Sequence, residues 1–349
     1  MNDKKKVAII VCNLGGPDSL SSVRLFLKNL FSDPAILPVP RPIRWFLARF
    51  ISLRRAKIAR NIYNQIGGKS PILLETKQQS EALEKSLNNQ LYKVFIAMRY
   101  WHPFTTETMK QILDWNAEKI ILLPLYPQFS TTTTGSSITE LNRVKSKIGF
   151  DIPTTVICCY PDEENFINAH VELIRESIVK LKNKQYKILF SAHGLPESII
   201  KKGDPYESQI KITVDSIVES LNISNNEWTI CYQSKVTPVK WLEPKTEDEI
   251  IKASKQNLSI IMVPIAFVSE HSETLVELDI EYYELAKTSG IKEYHRVPTL
   301  SCRKLYIDSL KNMIMNSLKH NKSSCIISGG KHNCSKKYIS CPLNNVGLN

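Results

Sequence analysis

The chain has 349 residues, is 42% apolar, and carries 46 Lys and Arg against 34 Asp and Glu, a formal net charge of +12. That length exceeds what one core ordinarily supports and points to two similar lobes or one large α/β unit, and the apolar fraction marks a globular protein. No apolar run reaches the roughly 18 residues of a membrane-spanning helix, and the 8 cysteines read as thiols or ligands rather than disulfides.

In chain order, MNDKKKVAII joins lysines to a short apolar segment, but Asn13, Gly15, Gly16, Pro17 and Asp18 follow where a signal peptide would stay apolar. It reads as a charged start and a first strand, with a cytoplasmic location as the expectation. Residues 41–60, RPIRWFLARFISLRRAKIAR, hold seven basic residues and no acid. Ile43, Phe46, Leu47, Phe50 and Ile51 recur at helical spacing on one face, with Arg44, Ser52 and Arg55 elsewhere. Basic residues beside Trp45 and two Phe suit a lipid headgroup region, so the segment is expected to hold the protein peripherally on the inner face of an anionic membrane. A core helix with a solvated basic face would carry the same pattern. No zinc-finger or RNA-recognition signature occurs, and no nucleic-acid partner is expected.

Short β-branched runs then alternate with helical patterns: KVAIIVCN, YKVFIAMRY, EKIILLPLYP, PTTVICCYP, YKILFSAH, EWTICYQS, NLSIIMVPIAF and KEYHRVP. Such runs predict buried parallel strands in an α/β protein. They fall into two sets of four. The first strand of each set runs into a glycine turn, VCNLGGPDS and FSAHGLPES, and the third ends in Pro before a polar segment and a helix, LPLYPQFSTTTTGSSITEL and VPIAFVSEHSETLVEL. The fold class is therefore α/β, two similar lobes that each hold a four-stranded parallel sheet flanked by helices. The expected divisions are 1–165, 166–318 and a cysteine-containing tail, 319–349. Ligands of open α/β sheets bind beyond the carboxyl ends of the strands, so the functional cleft is expected between the lobes.

The stretch SEHSETLVELDIEYYELAK, 269–287, concentrates six acids in a basic protein. Read as an α-helix, Glu270, Glu273, Glu277, Glu281 and Glu284 fall within about 80° of one another, an acidic stripe with apolar residues on both flanks. The matching positions of the first set carry hydroxyls, Ser130, Thr131, Thr133 and Ser136, so the second lobe supplies the ionisable chemistry. His193 ends a strand and precedes Gly194. Imidazole and carboxylate together can accept a proton near neutral pH or bind a borderline divalent metal such as Fe²⁺ in an open position. Tyr63, Arg99, Tyr126, Ser234, Trp241 and Phe267 lie at or near strand ends, and aromatics with an Arg suit a flat apolar ligand carrying carboxylates.

FSAHGLPES, KKGDPY, YQSKVTPVKWLEP, VPIAFVSEHSETLVELDIEYYELA, NLGGPDS, YNQIGGKSPI, MRYWHP and LYPQFSTTTTGSS together resemble the ferrochelatases, lyases that insert ferrous iron into protoporphyrin IX in the last step of haem biosynthesis. The match covers about residue 7 to about residue 310. The resemblance implies a chelatase fold of two Rossmann-like lobes clamping the porphyrin. It implies His193 and Glu273 as catalytic and iron-binding residues, and Glu270, His271 and Glu277 as carriers of protons or metal. Tyr63, Arg99, Tyr126, Ser234, Trp241 and Phe267 become substrate-binding residues. A cobalt or sirohydrochlorin chelatase would share fold and chemistry, and a non-catalytic porphyrin or haem carrier could use His193 as an axial ligand; the acidic stripe speaks against a carrier. Iron is substrate here, and no permanently bound cofactor is expected. Some ferrochelatases hold a [2Fe–2S] cluster through C-terminal cysteines and one internal cysteine, but here Thr131 stands at the internal position of the animal enzymes. The tail offers Cys325, Cys334 and Cys341, which with Cys158 or Cys159 form the alternative set of four thiolates.

Overall fold

A computed structural model describes residues 5–182, 185–224, 227–235, 239–320 and 338–339. The first half runs β1 (Val7–Asn13), α1 (Val23–Phe31), α2 (Arg41–Asn64), α3 (Ile72–Leu87), β2 (Tyr92–Met98), α4 (Thr105–Asp114), β3 (Lys119–Pro124), α5 (Thr134–Ile148), β4 (Thr154–Val156) and α6 (Glu164–Lys180). The second runs β5 (Tyr186–His193), α7 (Glu197–Lys201), α8 (Tyr206–Leu221), β6 (Trp228–Gln233), α9 (Thr246–Lys255), β7 (Ser259–Pro264), a π-helix (Glu273–Glu281), α10 (Tyr282–Thr288), β8 (Tyr294–Arg296) and α11 (Lys304–His320).

All eight expected strands form, in two wholly parallel sheets ordered β2-β1-β3-β4 and β6-β5-β7-β8. The shared order is the structural face of the internal repeat. Its register is also shared: Leu125 N donates to Cys12 O at 2.9 Å, and Ile265 N to Ser191 O at 3.0 Å. Cys12 and Ser191 are thus equivalent, Asn13 matches Ala192, and His193 stands one residue beyond.

Alternation along the strands sends apolar residues to both faces, as sheets covered on both sides require. Val7, Ile9 and Val11 of β1 join Ile188 and Phe190 of β5 and Ile261 and Val263 of β7 in one core that runs through both lobes. Ala8, Ile10 and Cys12 face a separate core with residues of α4 and α5, and Leu189, Ile260 and Met262 face one with residues of α9, the π-helix and α10. Helix α6 packs on α8 and α11, and α11 also packs on α3, so the lobes meet over helices and leave the strand ends to the cleft.

Two expectations for local structure change. The basic segment forms a helix extending to Asn64, but its buried residues are the small Ala48, Ser52 and Ala56 and then Tyr63, because α1 lies close against that side. Phe46 (67% exposed), Phe50, Ile43, Trp45 and Leu53 point outward, so this is not a core helix with a solvated basic face. Arg49 lies over the Trp45 ring at 3.4 Å and Arg54 over Phe50 at 4.7 Å. No helix among the described residues is long and apolar enough to cross a membrane. The acidic segment, in turn, is a π-helix over Glu273–Glu281 rather than an α-helix, with i→i+5 bonding and a wider turn.

Candidate active site

His193 closes β5, and the next residue must be glycine: a Cβ at Gly194 would lie 2.9 Å from Gln233 O and 3.3 Å from the Trp241 ring. Tight passage of the backbone against β6 turns the imidazole into the cleft between the sheets, and Tyr206 OH donates to His193 O at 3.1 Å. Glu273 opens the π-helix that follows β7, and its Oε2 lies 2.9 Å from His193 Nδ1. Both side chains remain about one-third exposed, 33% and 30%. Burial works against charge on either group, yet each partner outweighs it. Glu273, with Glu277 further off, raises the His193 pKa; His193 and then His271 hold the Glu273 carboxyl well below the usual carboxylate range. Nδ1–H donating to an ionised Glu273 leaves the His193 Nε2 lone pair facing the cleft.

The wider π-helical turn brings Glu277 to the same side. Gln233 Nε2 donates to both Glu273 O (3.1 Å) and Glu277 Oε2 (3.0 Å). Ser234, at φ 65°, gives its N–H (2.8 Å) and hydroxyl (2.5 Å) to Glu277, and Tyr282 OH adds a bond at 3.1 Å. Burial and the neighbouring Glu273 charge nonetheless raise the Glu277 pKa. His271 is buried, its Nε2 3.7 Å from Glu273 Oε2 and its ring 4.6 Å from that of Phe267.

The acidic stripe is not one line. Glu270 precedes the π-helix and is turned toward β8: Arg296 Nη1 (2.6 Å) and Thr299 N (3.0 Å) donate to Oε1, and Thr274 Oγ1 (2.5 Å) to Oε2. Its pKa is lowered despite burial because Arg296 lies beside it. Glu281 and Glu284 are exposed. The α-helical wheel placed five acids together; the structure keeps Glu273 and Glu277 at His193 and sends Glu270 into an ion pair.

Across the cleft, Tyr63 is buried near Ser272 and Glu273, and burial first, then the Glu273 charge, pushes its pKa up to about 12. Trp241 is buried against Gly194. Arg99 and half-buried Tyr126 belong to a cluster at the ends of the first sheet. Arg99, expected among the substrate-binding residues, has its Nη2 2.8 Å from buried Asp33 and its Nε 2.7 Å from Ser136 Oγ. Asp33 also accepts from Tyr100 OH at 2.7 Å. Among the described residues no three His, Cys, Asp or Glu side chains form a ready metal-binding group. Cys325, Cys334 and Cys341 lie outside the described residues.

Sequence reasoning missed several residues that build the site. Gln79 of α3 reaches across the lobes, its Nε2 to Val268 O (2.9 Å) and Ser301 O (3.1 Å), and Ser269 Oγ donates to its Oε1 at 3.0 Å, fixing the loop that carries Glu270 and His271. Buried Asp204 of KKGDPY accepts from Thr131 N and Oγ1 (2.7 Å each) and Ser130 Oγ (3.0 Å), pinning the hydroxyl-rich loop of the first lobe to the second. Gln233 and Arg296 complete the set. Only the presence of Asp204 and Gln233 inside quoted motifs could have flagged them; Gln79 lies in an ordinary polar helix.

A family profile described as Ferrochelatase matches residues 6–318. A protein named Ferrochelatase from Rickettsia bellii is 50% identical over 344 residues, covering 97% of this chain and 95% of that protein. Its namesake from Pelagibacter ubique is 49% identical over 344 residues, 97% and 99% of the two chains. Another from Wolbachia sp. subsp. Drosophila simulans is 52% identical over 316 residues, 89% and 99%. Of solved structures, SirB from Bacillus subtilis with Fe³⁺ matches at TM-score 0.56 and 11% identity over 91% of this chain and 99% of that one. The sirohydrochlorin chelatase SirB from Bacillus subtilis subspecies spizizenii, in complex with cobalt, matches at 0.53 and 11% over 90% and 96%. At that identity the structures bear on the fold, which they share, and not on the tetrapyrrole.

Proposed function

The chain belongs to the ferrochelatase family, whose reaction is the insertion of Fe²⁺ into protoporphyrin IX to give haem, and we propose that His193, Glu273 and Glu277 carry that reaction here. The observation that bears the weight is the 2.9 Å contact between His193 Nδ1 and Glu273 Oε2 in a half-open cleft at the strand ends.

Insertion must remove two pyrrole protons as the metal replaces them. Glu273, held anionic, keeps the imidazole in the tautomer whose Nε2 accepts the first proton and stabilises the resulting imidazolium. The Glu273 oxygen not bonded to His193 is a donor for incoming Fe²⁺, and the imidazole Nε2 can donate to the metal only while it carries no proton. Glu277, whose raised pKa suits a proton receiver, passes protons onward, and exposed Glu281 leads to solvent. Glu270 serves as an anchored anion rather than a carrier. Phe267, Trp241, Tyr63 and Tyr126 hold the macrocycle, Ser234 sets Glu277, and Arg99 acts by ordering Asp33 and Tyr100 at the first-lobe wall. Clamping a bent ring between lobes spends binding energy on a transition-state-like geometry.

The decisive experiment mixes protein, Fe²⁺ and protoporphyrin IX anaerobically and follows loss of the free-porphyrin absorption. His193→Ala is expected to abolish turnover while porphyrin binding stays within several-fold. Retained turnover in that variant sinks the assignment.

We further place the protein in the cytoplasm, peripheral to the membrane's inner face through α2, where exposed Trp45, Phe46 and Phe50 stand beside Arg49 and Arg54. Flotation with anionic vesicles tests this; undiminished binding after charge reversal of Arg44, Arg49, Arg54 and Arg55 counts against it. Our reading keeps no resident cofactor. One observation favours the four-thiolate alternative: Tyr338, between Cys334 and Cys341 in sequence, packs against the core that contains buried Cys158 and Cys159. Analysis for iron and acid-labile sulfide decides, stoichiometric sulfide overturning the cofactor-free reading.

A further inference from the structure

Arg296, the last residue of the edge strand β8, is an arginine that two acids of the acidic segment meet at close range. Its Nη1 lies 2.6 Å from Glu270 Oε1, and its Nε and Nη2 lie 2.7 and 2.6 Å from the two oxygens of Asp279. The side chain is only 13% exposed. Those two acids bracket the start and the last turn of the π-helix, Glu270 before Glu273 and Asp279 near Glu281. The strand thereby grips the helix at both ends. Tyr294 OH, on the same strand, donates to Leu278 O at 2.7 Å between those grips.

We infer that Arg296 is a positioning residue for metal insertion: it fills the place of a cation between Glu270 and Asp279 and so leaves Glu273 as the carboxylate open to the incoming ion. The inference rests on the reading of His193 and Glu273 as the metal end of the site. Two carboxylates converging on one point are the arrangement that captures a divalent ion. A guanidinium blocks capture because it stays protonated and its planar fork satisfies both partners, bidentate on Asp279 and single on Glu270. The same bonds hold Glu270 away from His193 and fix how far the π-helix turns before it presents Glu273 and Glu277. A π-helix is a rare conformation, and Arg296, Tyr294 and Gln233 bond to this one from the two edge strands of the second sheet, β8 and β6.

The test uses the full chain with Arg296→Gln and Arg296→Lys. Steady-state rates are measured with Fe²⁺ and protoporphyrin IX varied separately, and Mn²⁺ binding to the porphyrin-free protein is measured by calorimetry. The expected result for Arg296→Gln is a rise of about tenfold in the metal KM, the size of effect typical of groups that orient metal ligands, with the porphyrin KM unchanged. It should also gain an Mn²⁺ site that the added Glu270→Gln change removes, while Arg296→Lys falls between the variant and the parent. Equal rises in both KM values, or no gain of Mn²⁺ binding, would overturn the inference as a merely structural role. Should Arg296→Gln not fold, Asp279→Asn keeps Arg296 paired with Glu270; a selective rise in metal KM there supports the inference and its absence refutes it. The underlying site reading stands or falls separately, on the turnover of His193→Ala with Arg296 intact.

Discussion

Replacing Glu273 by Gln removes the charge that sets the His193 proton affinity while keeping the shape of the side chain. A hydrogen bond to a charged group is worth about 1.5–3 kcal/mol, and exposure near one-third for both partners (33% and 30%) admits solvent screening. Discounted for that screening to about 1.4 kcal/mol, the loss lowers the proton affinity of the imidazole about tenfold. The sign follows from the roles. His193 must be neutral to accept a pyrrole proton, and Glu273 raises its pKa, so the parent loses activity as pH falls through that raised value. In Glu273→Gln, burial remains and the favourable charge is gone, so the acid limb of kcat/KM should move to lower pH by about one unit, beneath a lower plateau from the lost metal donor. The assay is the anaerobic porphyrin-absorption rate across about pH 5 to about 8, the range in which a histidine changes charge. A limb that stays put or moves upward would refute the pairing as the control of His193. Stability gives a second reading: the stabilisation from the ionised pair is fully present only above the ordinary carboxyl value of 4.5 and below the ordinary imidazole value of 6.5. The Glu273→Gln penalty in unfolding temperature should peak in that window and shrink on either side, as pH falls through the depressed Glu273 value or rises through the raised His193 value.

Gly194→Ala forces a Cβ to 2.9 Å from a backbone oxygen, an overpacking expected to cost about 1–3 kcal/mol; denaturant unfolding measures it, and an unchanged midpoint contradicts the tight passage behind His193. Glu277→Gln turns an amide N–H toward donors already supplied by Gln233, Ser234 and Tyr282, and removes a proton receiver. Its kcat should fall about a hundredfold with loss of a group from the pH profile, whereas an unchanged rate would make Glu277 structural. Asp204→Ala strands the Thr131 and Ser130 donors and should cost about 1–3 kcal/mol. Because Tyr206, two residues on, touches the His193 carbonyl, the variant should also lower kcat; full activity at reduced stability would limit Asp204 to lobe packing.

Much of the molecule was legible in the chain. Most strands were announced by a β-branched run, since burial of both sheet faces demands apolar side chains at each successive residue, and burial is written locally; the edge strand β8, Tyr294–Arg296, is half-buried and has no such run. The repeat was legible because a turn and a proline recur at matching positions, and the paired sheet orders bear it out. His193 was legible as a strand end followed by a glycine that the β6 backbone requires.

Other decisions belong to the tertiary structure alone. The acidic stretch has an α-helical wheel, and its wider turn depends on side chains delivered by β6 and β8, Gln233 and Tyr294, which no local propensity contains. The pairing of Arg99 with Asp33, far away in the chain, has no local signal, and Glu270 looked like part of a line until Arg296 claimed it. The apolar stripe of residues 43–51 predicted a buried or interfacial face equally well; the small residues Ala48, Ser52 and Ala56, by letting α1 approach closely, decided which side turned inward. Hydrophobic periodicity is carried by neighbours in sequence, so the chain by itself determined the elements and the repeat. The partner of a charge is chosen by proximity in space, so which acids stay open to chemistry was decided by the fold.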